Sequence, residues 1–342
     1  MKKGLLITHN DMDAAGCAIV SSLLTDECYV SIDFTIEYCP ASGADDALER
    51  YKSNIENGEY DYIFIADISI SEKMAYFLDN TQKEKSFTLG LFDHHKSNKL
   101  GINFDWYYVN TDNVSACWIM YQKLIELNFD YTNKYHDKIK ITLSETKIDY
   151  TRWLMKSISR YDTWCWKTRP SSIQYFEKEF ANICKFIGTE RFYEVMSDFI
   201  LSSSDKSLKL NNMPSNFIYL SKVLKEKESD VISNIKNKLD NIRTTVIDGY
   251  KCALLMDTSS NLIYSNDILQ EVYQQPNIDI AIMLYPESRT ISLRTNHDEI
   301  DLSSWTAKMF GGGGHPKAAG AKLSSSKFIE IMNTYYKSKE DD

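Results

Sequence analysis

The chain has 342 residues, a length that predicts two domains rather than one, because single domains usually run to about 100–200 residues. Its 39 basic and 48 acidic residues give a formal charge of −9, which argues against a continuous binding surface for long duplex nucleic acid. The seven cysteines contain no C-x-x-C pair, and no apolar run approaches the roughly 18 residues of a membrane span, so we expect a cytoplasmic protein without disulfides, a thiolate zinc site or a membrane segment.

The first half of the chain alternates short apolar runs with segments of helical periodicity. The predicted strand and helix pairs are Gly4–Thr8 with Ala14–Leu24, Ser31–Cys39 with Asp45–Asn57, Tyr62–Asp67 with Glu72–Asn80, and Phe87–Phe92 with Ser115–Leu127. This alternation predicts an α/β fold with a parallel sheet covered by helices. Three of the runs are followed at once by His or Asp, which places these polar residues where open α/β sheets bind ligands.

The second half predicts one more helix, a connection and a smaller α/β domain. A helix over Tyr150–Arg160 precedes the polar stretch Leu201–Phe217, and an amphipathic helix over Val223–Ile242 follows. The smaller domain contains a hairpin of Thr244–Ile247 and Cys252–Met256, strands Ile278–Tyr285 and Thr290–Thr295, and helices Ile268–Tyr273 and Leu302–Phe310. We therefore predict a first domain over residues 1–200, a linker with a bridging helix over 201–243 and a second domain over 244–342.

Aspartates and histidines cluster at the predicted strand ends. His9, Asp11 and Asp13 alternate along an extended segment after the first strand, so they could converge on one ion with a carboxylate left for a second. The other candidates at strand ends are Asp67, Asp93, His94 and His95, and Asp162 follows a predicted helix. Carboxylates with one or two imidazoles favour manganese or magnesium over zinc. Together these residues are predicted to hold two ions about 3.5–4 Å apart, with Asp67 as the bridge.

Each of these residues has an ordinary structural alternative. An aspartate at a strand end usually caps a helix or closes a turn, and Asp11 or Asp13 could cap the helix that follows them. Two adjacent histidines are commonly one core and one surface residue, and Asp162 could pair with Arg160 or Arg169. The combination favours a metal site, because three of the six histidines lie at strand ends, each close to an aspartate.

Motifs in both predicted domains resemble those of the DHH phosphoesterases. In the first domain the matching segments are THNDMDAAGCA (Thr8–Ala18), the strand-end Asp67, FDHHKSN (Phe92–Asn98) and RYDTW (Arg160–Trp164). In the second, ISLRTN (Ile291–Asn296) and FGGGGHPKAAGA (Phe310–Ala321) resemble the DHH-associated domain of the short-oligonucleotide branch. The match spans nearly the whole chain. One departure is that Ala14 and Ala15 precede Gly16, where many members have Gly directly after the second Asp.

The resemblance implies a role for each matched residue of the first domain, which becomes the metal-binding catalytic domain. His9, Asp11 and Asp67 would hold one ion. The second ion would be held by Asp13, Asp67, His94 and Asp162. His95 would face the phosphate and act in catalysis with Asp67, and Asp93 would orient a histidine, as ligating imidazoles usually require.

The glycine run before His315 has two interpretations. Glycine repeats are often flexible loops. This run, however, follows a predicted helix and comes soon after Arg294, and backbone N–H groups without a Cβ can approach an anion closely while an arginine grips phosphate. The substrate-binding residues of the second domain are therefore predicted to be Arg294, Gly312, Gly313, Gly314 and His315.

The sequence predicts a two-metal phosphodiesterase that hydrolyses short RNA oligonucleotides or linear dinucleotides to mononucleotides, with the substrate held between the two domains. Manganese is the expected metal, two ions per chain, and magnesium is the alternative. The alternative functions are a 3′-phosphoadenosine 5′-phosphate phosphatase, a cyclic dinucleotide phosphodiesterase and, outside enzymes, a nucleotide-binding sensor. The chain could form a homo-oligomer, and the sequence does not predict the number of copies. The aromatic residues Tyr161, Trp164 and Trp166 are predicted to be mostly core, with base stacking as the alternative.

Overall fold

The structure is a computed structural model that describes residues 1–95, 104–126, 138–168, 171–202, 215–236, 242–256 and 264–337. The chain divides into two compact units, Met1–Ser221 and Lys222–Asp342. The division falls within helix α8 (Ser215–Lys236), which begins earlier than the amphipathic helix that the sequence predicts. Most of the predicted polar connection (203–214) and the end of that predicted helix (237–241) lie outside the described residues.

The first unit contains a parallel five-stranded sheet in the order β2-β1-β3-β4-β5. Its strands are β1 (Lys3–Thr8), β2 (Asp33–Tyr38), β3 (Tyr62–Ala66), β4 (Thr88–Asp93) and β5 (Tyr107–Val109). Its helices are α1 (Met12–Ser22), α2 (Ala44–Glu56), α3 (Glu72–Lys85), α4 (Ala116–Leu124), α5 (Glu145–Asp162), α6 (Ser171–Ile187) and α7 (Thr189–Ser202), followed by the start of α8. The predicted α/β architecture with a parallel sheet is confirmed. The sequence does not predict β5, which is too short to show a period, nor α6 and α7.

The three central strands are buried along almost their whole length, because helices cover both faces of the sheet. Ile63 and Ile65 point to the face where α2 and α3 pack, and both are fully buried. On the other face lies α1, which is buried nearly all round, as expected for a helix enclosed by other elements. Register places Thr8, Ala66 and Phe92 side by side, so the residues that follow these three strands meet at one edge.

Gly16 allows α1 and α4 to approach each other closely. A Cβ atom at this position would lie 2.7 Å from Cys117 Cβ, a distance that a real contact does not reach. The alanines before it, Ala14 and Ala15, are fully buried in the same helix. The departure from the family pattern therefore keeps a glycine in α1 at the point where the helices touch.

The second unit contains a mixed six-stranded sheet in the order β10-β11-β9-β8-β7-β6. Its strands are β6 (Arg243–Ile247), β7 (Tyr250–Met256), β8 (Ile280–Tyr285), β9 (Thr290–Arg294), β10 (Gly313–His315) and β11 (Ala318–Lys322). Its helices, besides the end of α8, are α9 (Ser265–Tyr273), α10 (Leu302–Phe310) and α11 (Ser325–Lys337). The predicted hairpin is confirmed, and its turn residues Asp248 and Gly249 both have positive φ, as a two-residue hairpin turn requires.

Two apolar cores lie on opposite faces of this second sheet. One contains Leu254, Ile282 and Leu293 together with residues of α10 and α11. The other contains Ala281 and Met283 together with α9. Since side chains alternate along a strand, Arg294 lies on the same face as α9.

The cysteines and the longest helices bear on the expectations about disulfides and membrane segments. All seven cysteines are free thiols, and five of them are buried. Within the described ranges, no helix combines the length and apolarity needed to cross a membrane.

Candidate metal centre and substrate-binding face

The predicted ligands lie at the edge of the first sheet where the parallel strands end. His9 and Asp11 follow β1, Asp67 follows β3, and His94 follows β4. Asp162 is the last residue of α5; the sequence places it after that helix, but the helix is longer than predicted at both ends. Ser144 caps its start, with Oγ accepting a hydrogen bond from Lys147 N.

His9, Asp11 and Asp67 form the first group of metal-ligand atoms. His9 Nδ1 lies 3.0 Å from Asp11 Oδ2 and 3.8 Å from Asp67 Oδ2. One ligand atom from each of the three residues lies within 4.8 Å of the others. This is the spacing at which a single cation can contact all three.

Asp13, His94 and Asp162 form the second group. His94 Nε2 lies 3.2 Å from Asp162 Oδ2 and 3.8 Å from Asp13 Oδ2, and one ligand atom from each residue lies within 4.8 Å of the others. Asp67 reaches this group as well, because its Oδ1 lies 3.3 Å from His94 Nε2. The two oxygens of Asp67 therefore face different groups, as a bridging ligand requires.

Asp67 is held in an unusual backbone conformation. Its φ is +58°, a region that non-glycine residues rarely adopt, although aspartate tolerates it better than most. Its N–H donates to Phe92 O at 2.9 Å, which fixes the turn after β3. The side chain is buried, and Oδ2 has no hydrogen-bond partner among the described residues. Burial of a carboxylate oxygen without a partner is costly, so a bound cation fits this atom.

Asp11 and Asp13 have different helix-capping roles. Asp11 caps α1, with Oδ1 accepting from Ala14 N at 3.0 Å, while its Oδ2 stays on the His9 side. Asp13 does not cap its own helix. Its two oxygens accept hydrogen bonds from Ala116 N at 2.8 Å and Cys117 N at 3.0 Å, the first amides of α4. The capping interpretation is thus correct for Asp11, and it leaves a second oxygen available to a cation.

Asp93 is fully buried and holds His95 in place. Its Oδ1 accepts hydrogen bonds from His94 N at 2.7 Å and from His95 Nδ1 at 2.8 Å. Burial opposes protonation of His95, but the hydrogen bond to Asp93 and the charge of that carboxylate outweigh it and raise the pKa of His95 to about 9. In the metal-free protein His95 is therefore a cation near neutral pH.

Negative charge is concentrated in this site, since five aspartates contribute carboxylates: Asp11, Asp13, Asp67, Asp93 and Asp162. Burial raises the pKa of Asp67 well above its usual range, and the carboxylates of Asp11 and Asp13 raise it further. The pKa of Asp162 is raised by burial and by the same two neighbours. For Asp11, burial is outweighed by the hydrogen bond with His9, and its pKa is lowered. Two divalent cations would offset most of the charge that this cluster carries when ionised.

The residues close to Asp162 in the sequence include its alternative arginine partners and three aromatic side chains. Arg160 has its Nη1 3.9 Å from Glu177 Oε1 on α6, and Arg169 lies outside the described residues. The three aromatic residues near Asp162 are half-buried rather than core, which corrects the prediction. Tyr161 and Trp166 stack with ring centroids 5.7 Å apart. Tyr161 lies in the last turn of α5, and Trp166 lies in the short 3-10 helix Cys165–Thr168.

In the second unit, strand register places Arg294 and His315 on one face of the sheet. Ala318 on β11 pairs with Arg294 on one side and with His315 on the other. Directly paired residues of antiparallel strands point to the same face, so Arg294 and His315 flank Ala318 and are separated by two strand spacings, roughly 10 Å. The next row along the sheet is Ser292, Gly320 and Gly313. Small residues therefore form the floor between two basic side chains.

The glycine run is not a flexible loop, because its last two glycines begin strand β10. Gly311 ends α10 with φ of +70°. A Cβ on Gly312 would lie 2.1 Å from Gly320 O, and one on Gly314 would lie 2.5 Å from Ala318 O. Packing and backbone conformation require these three glycines. At Gly313, by contrast, a Cβ would meet no atom within 4 Å, so folding alone does not explain this glycine.

Comparison with known proteins finds relatives over nearly the whole chain, although no family model matches it. Oligoribonuclease NrnB of Bacillus subtilis is 23% identical over 330 residues, which cover 94% of this chain and 73% of NrnB. The exonuclease RecJ of Thermus thermophilus, solved in complex with Mn²⁺, has a TM-score of 0.53 at 10% identity and covers 96% of this chain and 51% of RecJ. Another RecJ structure bound to manganese has a TM-score of 0.50 at 10% identity, over 96% of this chain and 88% of that one. At these identities the solved structures establish a shared fold.

Proposed function

The chain belongs to the DHH phosphoesterases, and we propose that it hydrolyses short RNA oligonucleotides or linear dinucleotides to mononucleotides with two divalent cations, manganese in preference to magnesium. The observation that carries the proposal is the position of Asp67 between two groups of ligand atoms, with one oxygen toward His9 and the other toward His94. The similarity to an oligoribonuclease over nearly the whole chain supports the choice of substrate.

The residues of the first unit would divide between the two ions. His9, Asp11 and Asp67 would hold one. Asp13, Asp67, His94 and Asp162 would hold the other. Bound there, the cations would supply Lewis-acid chemistry: they would acidify a water molecule and offset the charge of the phosphoryl oxygens. No side chain of the protein is needed as a nucleophile.

His95 would act on the phosphate itself. Its Nδ1–H donates to Asp93, so the ring is fixed and Nε2 is the nitrogen that would reach a substrate. A ring protonated at Nε2 as well would be a hydrogen-bond donor to a phosphoryl oxygen. The buried Asp93, whose Oδ1 lies 2.8 Å from Nδ1, would orient that ring.

The second unit would bind the part of the substrate that does not react. Arg294 and His315 stand on either side of a floor of small residues, and Gly313 keeps one part of that floor open. An arginine and a histidine suit phosphate or nucleoside oxygens, and a floor of small residues lets a planar group approach the sheet closely. A substrate bound this way gains affinity from its first nucleotides rather than from its length.

A substrate panel tests this proposal. Protein freed of metal and then supplied with manganese would be incubated with a labelled RNA dinucleotide, a pentanucleotide, a strand of two dozen nucleotides, a cyclic dinucleotide, 3′-phosphoadenosine 5′-phosphate and pyrophosphate. We expect release of mononucleotides to be fastest from the two shortest RNAs. Preferential hydrolysis of the cyclic dinucleotide or of 3′-phosphoadenosine 5′-phosphate would reassign the substrate within the family, and no hydrolysis at all would favour the nucleotide sensor.

A further inference from the structure

We propose that Asn266 is a positioning residue that fixes the guanidinium of Arg294 on the substrate-binding face, an inference that rests on the function proposed above. Asn266 Oδ1 accepts a hydrogen bond from Arg294 Nη2. The other terminal nitrogen, Nη1, donates to Leu293 O at 2.7 Å. These two hydrogen bonds are made to neutral oxygens in different elements, so together they define both the position and the plane of the guanidinium.

Asn266 is mounted on a rigid element. It is the second residue of α9, whose Leu269 and Val272 are fully buried against the sheet. The residue before the helix, Tyr264, is buried and donates through its hydroxyl to Leu224 O at 2.9 Å, which ties the start of α9 to α8 within the same unit. A side chain on such a support holds its partner more precisely than one on a loop.

The direction of Arg294 matters because of the row it belongs to. Arg294, Ala318 and His315 lie side by side on three adjacent strands, and Ala318 between them has only a methyl group. An arginine side chain has many rotamers, and one that swung away from this row would no longer face His315 across the floor. Because Asn266 fixes the guanidinium when the protein folds, Arg294 loses little further rotamer freedom when the substrate binds. The entropic cost of binding is therefore lower, and the affinity is higher.

The chemistry of Asn266 fits this task better than that of a carboxylate. A carboxamide oxygen accepts the hydrogen bond and carries no net charge, so it orients Arg294 without offsetting the positive charge that would attract a phosphate. No sequence motif marks Asn266, because it lies 28 residues before Arg294 and outside both matched segments of the second domain.

A double-mutant cycle on the dinucleotide tests the proposal. Asn266→Ala should raise KM about five- to tenfold, the effect of one neutral hydrogen bond, and leave kcat within about twofold. In an Arg294→Ala background the same substitution should have no further effect on KM, because its partner has gone. Gln274→Ala, which removes an exposed amide at the other end of α9, is the control and should change nothing.

The outcomes separate this inference from the proposed function. If wild type fails to cleave the dinucleotide, the proposed function is wrong; if wild type cleaves it but Asn266→Ala has a normal KM, only the positioning role is wrong. An equal rise in KM with and without Arg294 would also overturn it. Alanine favours helix more than asparagine does, so Asn266→Ala is expected to keep its thermal stability. If Asn266→Ala fails to fold, Asn266→Ser replaces it, because the shorter serine side chain ends before the guanidinium. Asn266→Ser should show the same rise in KM, and a normal KM would refute the proposal.

Discussion

Asp67 Oδ1 lies 3.3 Å from His94 Nε2, while Asp67 Oδ2 points toward His9 and has no hydrogen-bond partner among the described residues. One buried carboxylate thus serves two groups of ligand atoms. The backbone of Asp67 is in the left-handed region, a conformation that asparagine also accepts well. A substitution of Asp67 by asparagine can therefore test the two-cation proposal without disturbing the backbone.

Asp67→Asn should retain the fold and lose manganese and activity together. The amide keeps the backbone conformation but carries no charge, so both ions lose a shared ligand, and we expect the rate on a dinucleotide to fall on the order of a thousandfold or more. Metal content after dialysis and initial rates would be measured side by side. Asp46→Asn, an exposed aspartate of α2, is the matched control. Wild-type rates and metal content in Asp67→Asn would make this residue a turn former without a catalytic role.

Asp162→Asn should stabilise the metal-free protein near neutral pH while it weakens metal binding. The pKa of Asp162 is raised in the folded state, so the stability it contributes is fully present below the unfolded pKa of about 3.9 and is lost as pH rises through the folded value. Removing this carboxyl group should therefore raise the melting temperature in chelator, more at pH 7 than at pH 5. Excess manganese should reverse the order of wild type and variant. A variant that melts below wild type in chelator at pH 7 would contradict the charge repulsion described above.

The glycines before His315 should separate into two classes. Gly312→Ala and Gly314→Ala place a Cβ against backbone atoms, and we expect each to lose about 2 kcal/mol or more of folding free energy. Gly313→Ala meets no atom within 4 Å, so its stability should be close to wild type while its KM for a dinucleotide rises. Thermal melts and steady-state kinetics on all three variants would decide this. A normal KM for Gly313→Ala would remove Gly313 from the substrate-binding face.

A comparison of two substrates should distinguish the roles of the two units. Arg294→Ala and His315→Ala should lose about 2–4 kcal/mol of transition-state stabilisation on a dinucleotide and act almost normally on bis(p-nitrophenyl) phosphate, which has no second nucleoside to bind. His94→Ala and Asp13→Ala should lose activity on both substrates. If the second-unit variants are equally impaired on the small ester, those residues take part in the chemistry rather than in binding.

The sequence predicts the parts of this structure that follow from local pattern. Apolar runs followed by Asp or His place β1, β3 and β4 in a parallel sheet, and polar residues after parallel strands necessarily meet at one edge, so His9, Asp67 and His94 can be grouped without the structure. Asp162 follows a helix rather than a strand, so no periodicity connects it to that edge, and the resemblance to a family is what assigns it to the second ion.

The remainder depends on contacts between residues far apart in the chain. Asp13 accepts hydrogen bonds from amides of α4 that lie more than one hundred positions later in the chain, and no residue near Asp13 in the sequence indicates this contact. The sequence predicts an anion site at the glycine run, but Gly312 and Gly314 are required by the approach of β11, which only the folded sheet reveals. Asn266 is invisible in the sequence for the same reason.

The most direct test of the two-cation proposal is the release of mononucleotides from an RNA dinucleotide by wild-type protein, measured in excess chelator and again after manganese is restored, with a strand of two dozen nucleotides beside it. We expect no turnover in chelator and recovery of turnover as manganese approaches two ions per chain. We also expect a much lower rate on the long strand, because a protein with a net charge of −9 offers little attraction for nucleotides beyond the first few. Full turnover in chelator, or equal rates on both RNAs, would contradict the proposal.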